Sequence, residues 1–329
     1  MSNRKRPAFT ELPLRDGDPP FSAWGLYGPN DQLGTLNILT PEVVAEAARE
    51  IQTGVRIGLD LPLDYLGTPS AGRVPVRHEI FSRGVGRPVH DDVLEFNTQC
   101  SSQWDGFGHA GYMQEKLFYN GVTGQEIIKP GSKARLGIHA WCKQGIAGRG
   151  VLLDFLGWSE ANEKPYELLS DYSIPVEDLK ACAEWQKTTL KEGDILLIRS
   201  GWKVAYDALG KEEQEAWCKM SPMKWVGVER SIKTVEWLWD TGFSACAGDA
   251  PGWERVPHLD GPAEEGGLEM LSLHQVMLAG WGMPIGEYFN LEELVEECRR
   301  QGRYSFFIAS MPLHVVGGVG SPPNIMAIF

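Results

Sequence analysis

The sequence predicts an α/β fold, built as a single mixed-sheet domain. Two short apolar runs, "GRGVLLDFLG" (148–157) and "GDILLIRSGW" (193–202), read as buried strands, and the stretch between them, "PVEDLKACAEWQKTTL", reads as a helix. That alternation is the mark of a βαβ crossover in a sheet with parallel neighbours. No repeat, low-complexity linker or composition break divides the 329 residues. A chain of that length can fill one large α/β domain.

Residues 1–23 are dense in proline and lack periodicity, which predicts an extended N-terminal arm ahead of a domain over 24–329. "LTPEVVAEAAREI" predicts the first helix: Thr40 suits the N-cap, Pro41 the first helical position, and Val43, Ala47 and Ile51 one apolar face. "RIGLDLPLDYL" and "HDDVLEFNTQC" then read as β, punctuated by Gly and Pro. "VGVERSIKTVEWLWDTG" carries a helical stripe of Val228, Ile232, Val235, Leu238 and Trp239, stops at Gly242 and leads into a strand, "FSACAGDAPG". "MLSLHQVMLAG" reads as a short helix and "NLEELVEECRRQG" as a longer amphipathic one. "YSFFIASMPL" and "NIMAIF" close the chain as β segments.

A net charge of −13 argues against nucleic acid and anionic membrane surfaces as partners, since both require a positive footprint. No run of about eighteen apolar residues is present to span a bilayer, and the first twenty residues lack the apolar core of a signal peptide. The six cysteines are scattered with no C-x-x-C pair, which reads as reduced thiols in a cytoplasmic protein.

The stretch with chemistry in it is "NTQCSSQWDGFGHAGY", Asn97 to Tyr112. Asp105 and His109 stand four residues apart among Gly106, Gly108 and Gly111, which would let the backbone turn sharply near a ligand. On spacing alone, an acid–base pair and a hydrogen bond that pins a loop are equal readings. His274 lies on the predicted short helix beside Leu271, Leu273 and Met277, where a buried core histidine is the plainer reading. Glu287, in "GMPIGEYFNLEEL", is unremarkable by itself.

Together these segments resemble the cyclase superfamily, which includes bacterial-type kynurenine formamidases and isatin hydrolase. The family motif is His-x-Gly-Thr-His-x-Asp-x-Pro-x-His. Against it "QCSSQWDGFGH" keeps Asp105 and His109 but has Gln99 and Gln103 for the first two histidines, Ser101 and Ser102 for Gly-Thr, and Phe107 for Pro. "DQLGTLNILTPE", "GRGVLLDF", "GDILLIRSGW" and "FFIASMPLHVVGGVGSPPNIMAIF" are similar to other family segments, and "LHQVMLAGWGMPIGEYFNLEEL" to the family's catalytic His followed by its Glu.

The resemblance implies a kynurenine formamidase-like, swivelling β/α fold from about residue 30 onward. It implies catalytic roles for His274, Glu287, Asp105 and His109, and a surviving metal set of Asp105, His109 and Glu287 for one zinc or manganese ion. Two amides in place of imidazoles remove most of the second metal's ligands. Gln99, Ser102, Gln103 and Trp104 become candidate substrate contacts. Three functions follow as expectations: a one-metal hydrolase of an amide or lactone in a small ring-bearing metabolite; a metal-independent acid–base enzyme for cyclisation, dehydration or isomerisation; and a non-catalytic small-molecule binder. The oligomeric habit of the family implies a homodimer.

Overall fold

The computed structural model describes residues 6–128, 135–257 and 271–329. Nine strands form one mixed sheet: β1 (Arg56–Gly58), β2 (Gln103–Asp105), β3 (Ile146–Leu153), β4 (Ile195–Ile198), β5 (Ala245–Gly248), β6 (Ile285–Glu287), β7 (Ser305–Ser310), β8 (Gly320–Ser321) and β9 (Ile325–Ile328). Their spatial order is β1-β9-β7-β3-β4-β5-β6-β2-β8. β3, β4, β5 and β6 run parallel, and antiparallel partners flank them on both sides. The predicted crossover is present: β3 and β4 pair in parallel across helix α2 (Val176–Trp185). Parallel strands covered on both faces bury every residue, and Ile195 to Ile198 are all buried.

Helix α1 (Pro41–Ala47) begins as its sequence predicts, with the Thr40 side chain accepting from the Val43 amide. Helix α3 (Ile232–Thr241) ends where Gly242 takes the left-handed conformation, φ 86°. It starts later than its apolar stripe suggested. Val228 belongs to a two-residue strand paired with Ser173–Ile174, so a β residue happened to fall in helical phase. "RIGLDLPLDYL" yields only the three residues of β1. Residues 6–23 lie along the domain, tied by Trp239 Nε1 to the Pro7 carbonyl, Tyr112 Oη to Pro20 and Trp281 Nε1 to Phe21. Most tryptophans are core: Trp104, Trp202, Trp239 and Trp281 are each fully buried.

Candidate functional site

The site is built on the seam between β2 and β6. These strands are antiparallel, with Glu287 opposite Gln103 and Ile285 opposite Asp105. Alternation along a strand puts Gln103 and Asp105 on one face and Trp104 on the other. Two carboxylates remote in sequence therefore share one surface, and the Gln103 amide nitrogen donates to Glu287 Oε2 at 2.6 Å. After Glu287 the chain turns through Tyr288, a buried residue at φ 56°. A left-handed tyrosine costs about 1–2 kcal/mol, and backbone bonds from Tyr288 to Ala250 and from Phe289 to Gly248 hold it there. The glycines after Asp105 serve close packing more than turning. A Cβ at Gly106 would come within 2.9 Å of both Ile138 and the Val319 carbonyl.

His274 enters from the start of a seven-residue π-helical turn, Gln275–Trp281, a geometry that tends to occur at functional sites. Glu254 caps that turn. Its carboxylate accepts from the amides of Leu273 at 2.7 Å and His274 at 3.0 Å, and from His274 Nδ1 at 2.7 Å. The other ring nitrogen, Nε2, lies 3.0 Å from Glu287 Oε1 and 3.6 Å from Asp105 Oδ2. Burial works to lower the His274 pKa, but the surrounding carboxylates of Asp105, Glu254 and Glu287 outweigh it and raise the pKa well above the usual range. Burial likewise works to raise Asp105, and the nearby His109, His274 and Arg73 outweigh it and hold it below the usual carboxylate range.

Gln99 joins the two halves of the motif. Its Nε2 donates to Asp105 Oδ1 at 2.5 Å and to His109 Nδ1 at 3.0 Å, and its Oε1 accepts from Arg73 at 2.6 Å. An arginine has only donors, so Arg73 fixes which end of the amide faces His109. His109 Nδ1 must then accept, and the proton of the neutral ring sits on Nε2, 3.7 Å from Asp105 Oδ2.

Asp105, His109, His274, Glu287, Gln99 and Gln103 thus converge, although they span most of the chain. Ser102 is adjacent but committed: its hydroxyl donates to the Tyr288 carbonyl and accepts from the Leu61 amide. Trp104 points away from the cluster, packed edge-on against Phe289 with its indole N–H on Ser310. The strand's two-residue period turns it into the core, on the face opposite the substrate contact expected of it. Two participants had no sequence signal. Glu254 follows a loop without periodicity, and Arg73 lies in a Gly- and Pro-rich stretch; only the fold brings them to His274 and Gln99.

The donor set fits one divalent cation. Among the described residues, Asp105, His274 and Glu287 each offer a ligand atom within 4.8 Å of the others. His274 stands here in place of His109, the histidine of the metal set implied by the resemblance. Among the described residues, Asp105 Oδ2 and Gln103 Oε1 are buried oxygens without a hydrogen-bond partner. A carboxylate on the far nitrogen of a histidine, as Glu254 is on His274, orients that ring for a metal.

Comparison with known proteins agrees with this architecture. The Cyclase family model matches residues 31–255. A solved structure described as a novel cyclase is 34% identical, with a TM-score of 0.80, covering 94% of this chain and 99% of its own. Isatin hydrolase A from Ralstonia solanacearum aligns at 16% identity and TM-score 0.57, covering 87% of this chain and 95% of its own. Isatin hydrolase A from Labrenzia aggregata, bound to benzyl benzoate, aligns at 14% and 0.58, covering 89% and 98%. The last two likenesses are of fold. No curated protein matches the chain. With the family model spanning most of the chain and a solved cyclase aligned over nearly all of it, this protein belongs to the cyclase family.

Proposed function

We propose that this protein is a hydrolase that opens an amide or lactone bond in a small ring-bearing molecule, with one divalent metal ion held by Asp105, His274 and Glu287. The observation that carries the reading is the convergence of those three side chains around a buried, unpartnered Asp105 oxygen. The isatin hydrolases among the structural neighbours support a cyclic amide as the substrate type. Bound there, a zinc or manganese ion would supply a Lewis acid and lower the pKa of a water molecule. Glu254 holds the His274 ring, and Gln103 anchors one oxygen of Glu287. His109, its proton on Nε2, donates a hydrogen bond to the carbonyl oxygen as negative charge develops. Gln103 Oε1 accepts from the attacking water, and Glu287 carries the water's proton to the leaving nitrogen or oxygen.

A second reading rests on its own observation: both ring nitrogens of His274 face carboxylate oxygens, which suits an imidazolium. Asp105 Oδ2 would then be the base and His274 the acid of a metal-independent ring closure, dehydration or isomerisation. The experiment is a panel of cyclic amides and lactones, isatin and dihydrocoumarin among them, offered to metal-loaded and chelated protein. Ring opening that disappears with chelator and with Asp105→Asn supports the hydrolase. No ring opening by fully loaded protein refutes it.

The same reading takes the protein as a cytoplasmic homodimer. Its six cysteines are all free thiols, five of them buried, and none of its described helices is long and apolar enough to cross a membrane. The hairpin of Arg77–Ser82 and His90–Glu95 supports the dimer. All residues of both strands are exposed, with Ile80 at 65% and Val93 at 56%. A lone two-stranded hairpin is marginal in water. Residues 77–95 carry three arginines against four carboxylates in a chain of −13, so two copies of this segment can meet without strong repulsion.

A further inference from the structure

Arg73 is an arginine hydrogen-bonded through Gln99 to the acidic cluster, and the hydrolase reading gives it no role. It is half-buried and makes no ion pair among the described residues. Its two hydrogen bonds both go to Gln99, from NH2 to Oε1 at 2.6 Å and from NH1 to the backbone carbonyl at 3.4 Å. A guanidinium has five N–H donors, so three remain without an acceptor among the described residues. Gln99 is also bonded to Asp105, which places Arg73 one amide side chain away from the reacting centre.

Holding Gln99 needs no charge. A neutral donor would fix the amide equally well and would avoid the cost of withdrawing a cation from water. What a guanidinium adds is a planar fork that matches a carboxylate through two parallel bonds. Asp105, Glu254 and Glu287 outnumber the charge of one divalent ion, so an anion approaching the site is repelled unless a further cation stands beside them. Arg73 stands at that position with donors to spare.

We infer that Arg73 recognises a carboxylate on the substrate, so that the molecule taken by this site is a ring-bearing amide or lactone carrying a carboxylate group apart from the scissile bond. The inference rests on the proposed hydrolase site for the identity of the reacting centre. Its test reads binding alone, so a failure to hydrolyse the cyclic amides and lactones leaves it standing or falling separately.

The probes are 2-carbamoylbenzoate, which holds an amide and a carboxylate on neighbouring ring carbons, and benzene-1,2-dicarboxamide, its neutral counterpart. Both are titrated calorimetrically into full-length protein, metal-depleted so that carboxylate–metal contact does not enter. The wild type should bind the carboxylate at least about tenfold more tightly, the scale of one charge-assisted pair. Arg73→Met should reduce the preference to about twofold or less, and Arg73→Lys should keep part of it, because the point charge stays and the fork is lost. Equal affinities in the wild type, no binding of either probe, or a preference that survives Arg73→Met overturns the inference. Arg73→Lys preserves a reading if the methionine variant does not fold.

Discussion

Exchanging one oxygen of Glu254 for nitrogen tests how the site is held. Glu254 is 1% exposed, and its two oxygens accept from the Leu273 amide at 2.7 Å, the His274 amide at 3.0 Å and His274 Nδ1 at 2.7 Å. Glu254→Gln keeps the shape but leaves one acceptor for donors on both sides. If the amide oxygen stays with His274, an N–H faces the Leu273 amide and the start of the π-helical turn loses a partner. If it turns to Leu273, His274 loses its orienting bond. Either way one buried donor is left unsatisfied, a cost of about 1–3 kcal/mol. Loss of an orienting carboxylate lowers metal affinity by about 10–100-fold where the histidine is a ligand. Stability is read from urea midpoints on metal-depleted protein, and affinity from competition for zinc against a calibrated chelator. A variant with lowered stability and unchanged zinc affinity would remove His274 from the ligand set and favour the acid–base reading. Wild-type values in both assays would show that Glu254 neither caps the π-helical turn nor orients His274, and the reasoning would fail.

The double substitution Gln99→His with Gln103→His should raise bound metal from about one ion per chain toward two. Both side chains already aim at the carboxylates of Asp105 and Glu287, and imidazole is the stronger ligand; elemental analysis after identical loading decides, and two ions in the unmodified protein would refute the one-ion site. Ile80→Asp with Val93→Asp, on the exposed hairpin, should convert a dimer into a folded monomer in analytical ultracentrifugation. A wild-type monomer at micromolar concentration, or a variant that stays dimeric, counts against that hairpin as the interface.

The parts legible in the sequence are those governed by local periodicity. The buried run that becomes β4, the Thr40 cap of α1 and the stop of α3 at Gly242 are each decided by a few neighbouring residues, and each is found where the pattern put it. Val228 marks the limit of that logic, because one apolar residue fits helix and strand alike and its pairing with Ile174 is settled by the fold. The site is legible only in part for the same reason. Asp105 and His109 stand close in sequence, but the partnership of Asp105 with Glu287 depends on the register of β2 against β6, and single-sequence patterns do not encode register between distant strands. Glu254 and Arg73 lie further out of reach, in loops whose positions follow from the fold as a whole.

The glutamines stand out in the sequence as departures from a histidine motif, yet their effect could not be read from their identity. In place they give up two imidazole ligands and gain directed donors. Gln103 fixes one oxygen of Glu287, and Gln99, oriented by Arg73, sets the proton of His109 on the nitrogen nearer Asp105. An imidazole at position 99 would accept or donate at each nitrogen but could not present a donor to both Asp105 and His109 while accepting from Arg73. The substitution therefore couples a cation at the edge of the site to the protonation of a histidine inside it, a link that a two-metal version of the same cluster would have no need to make.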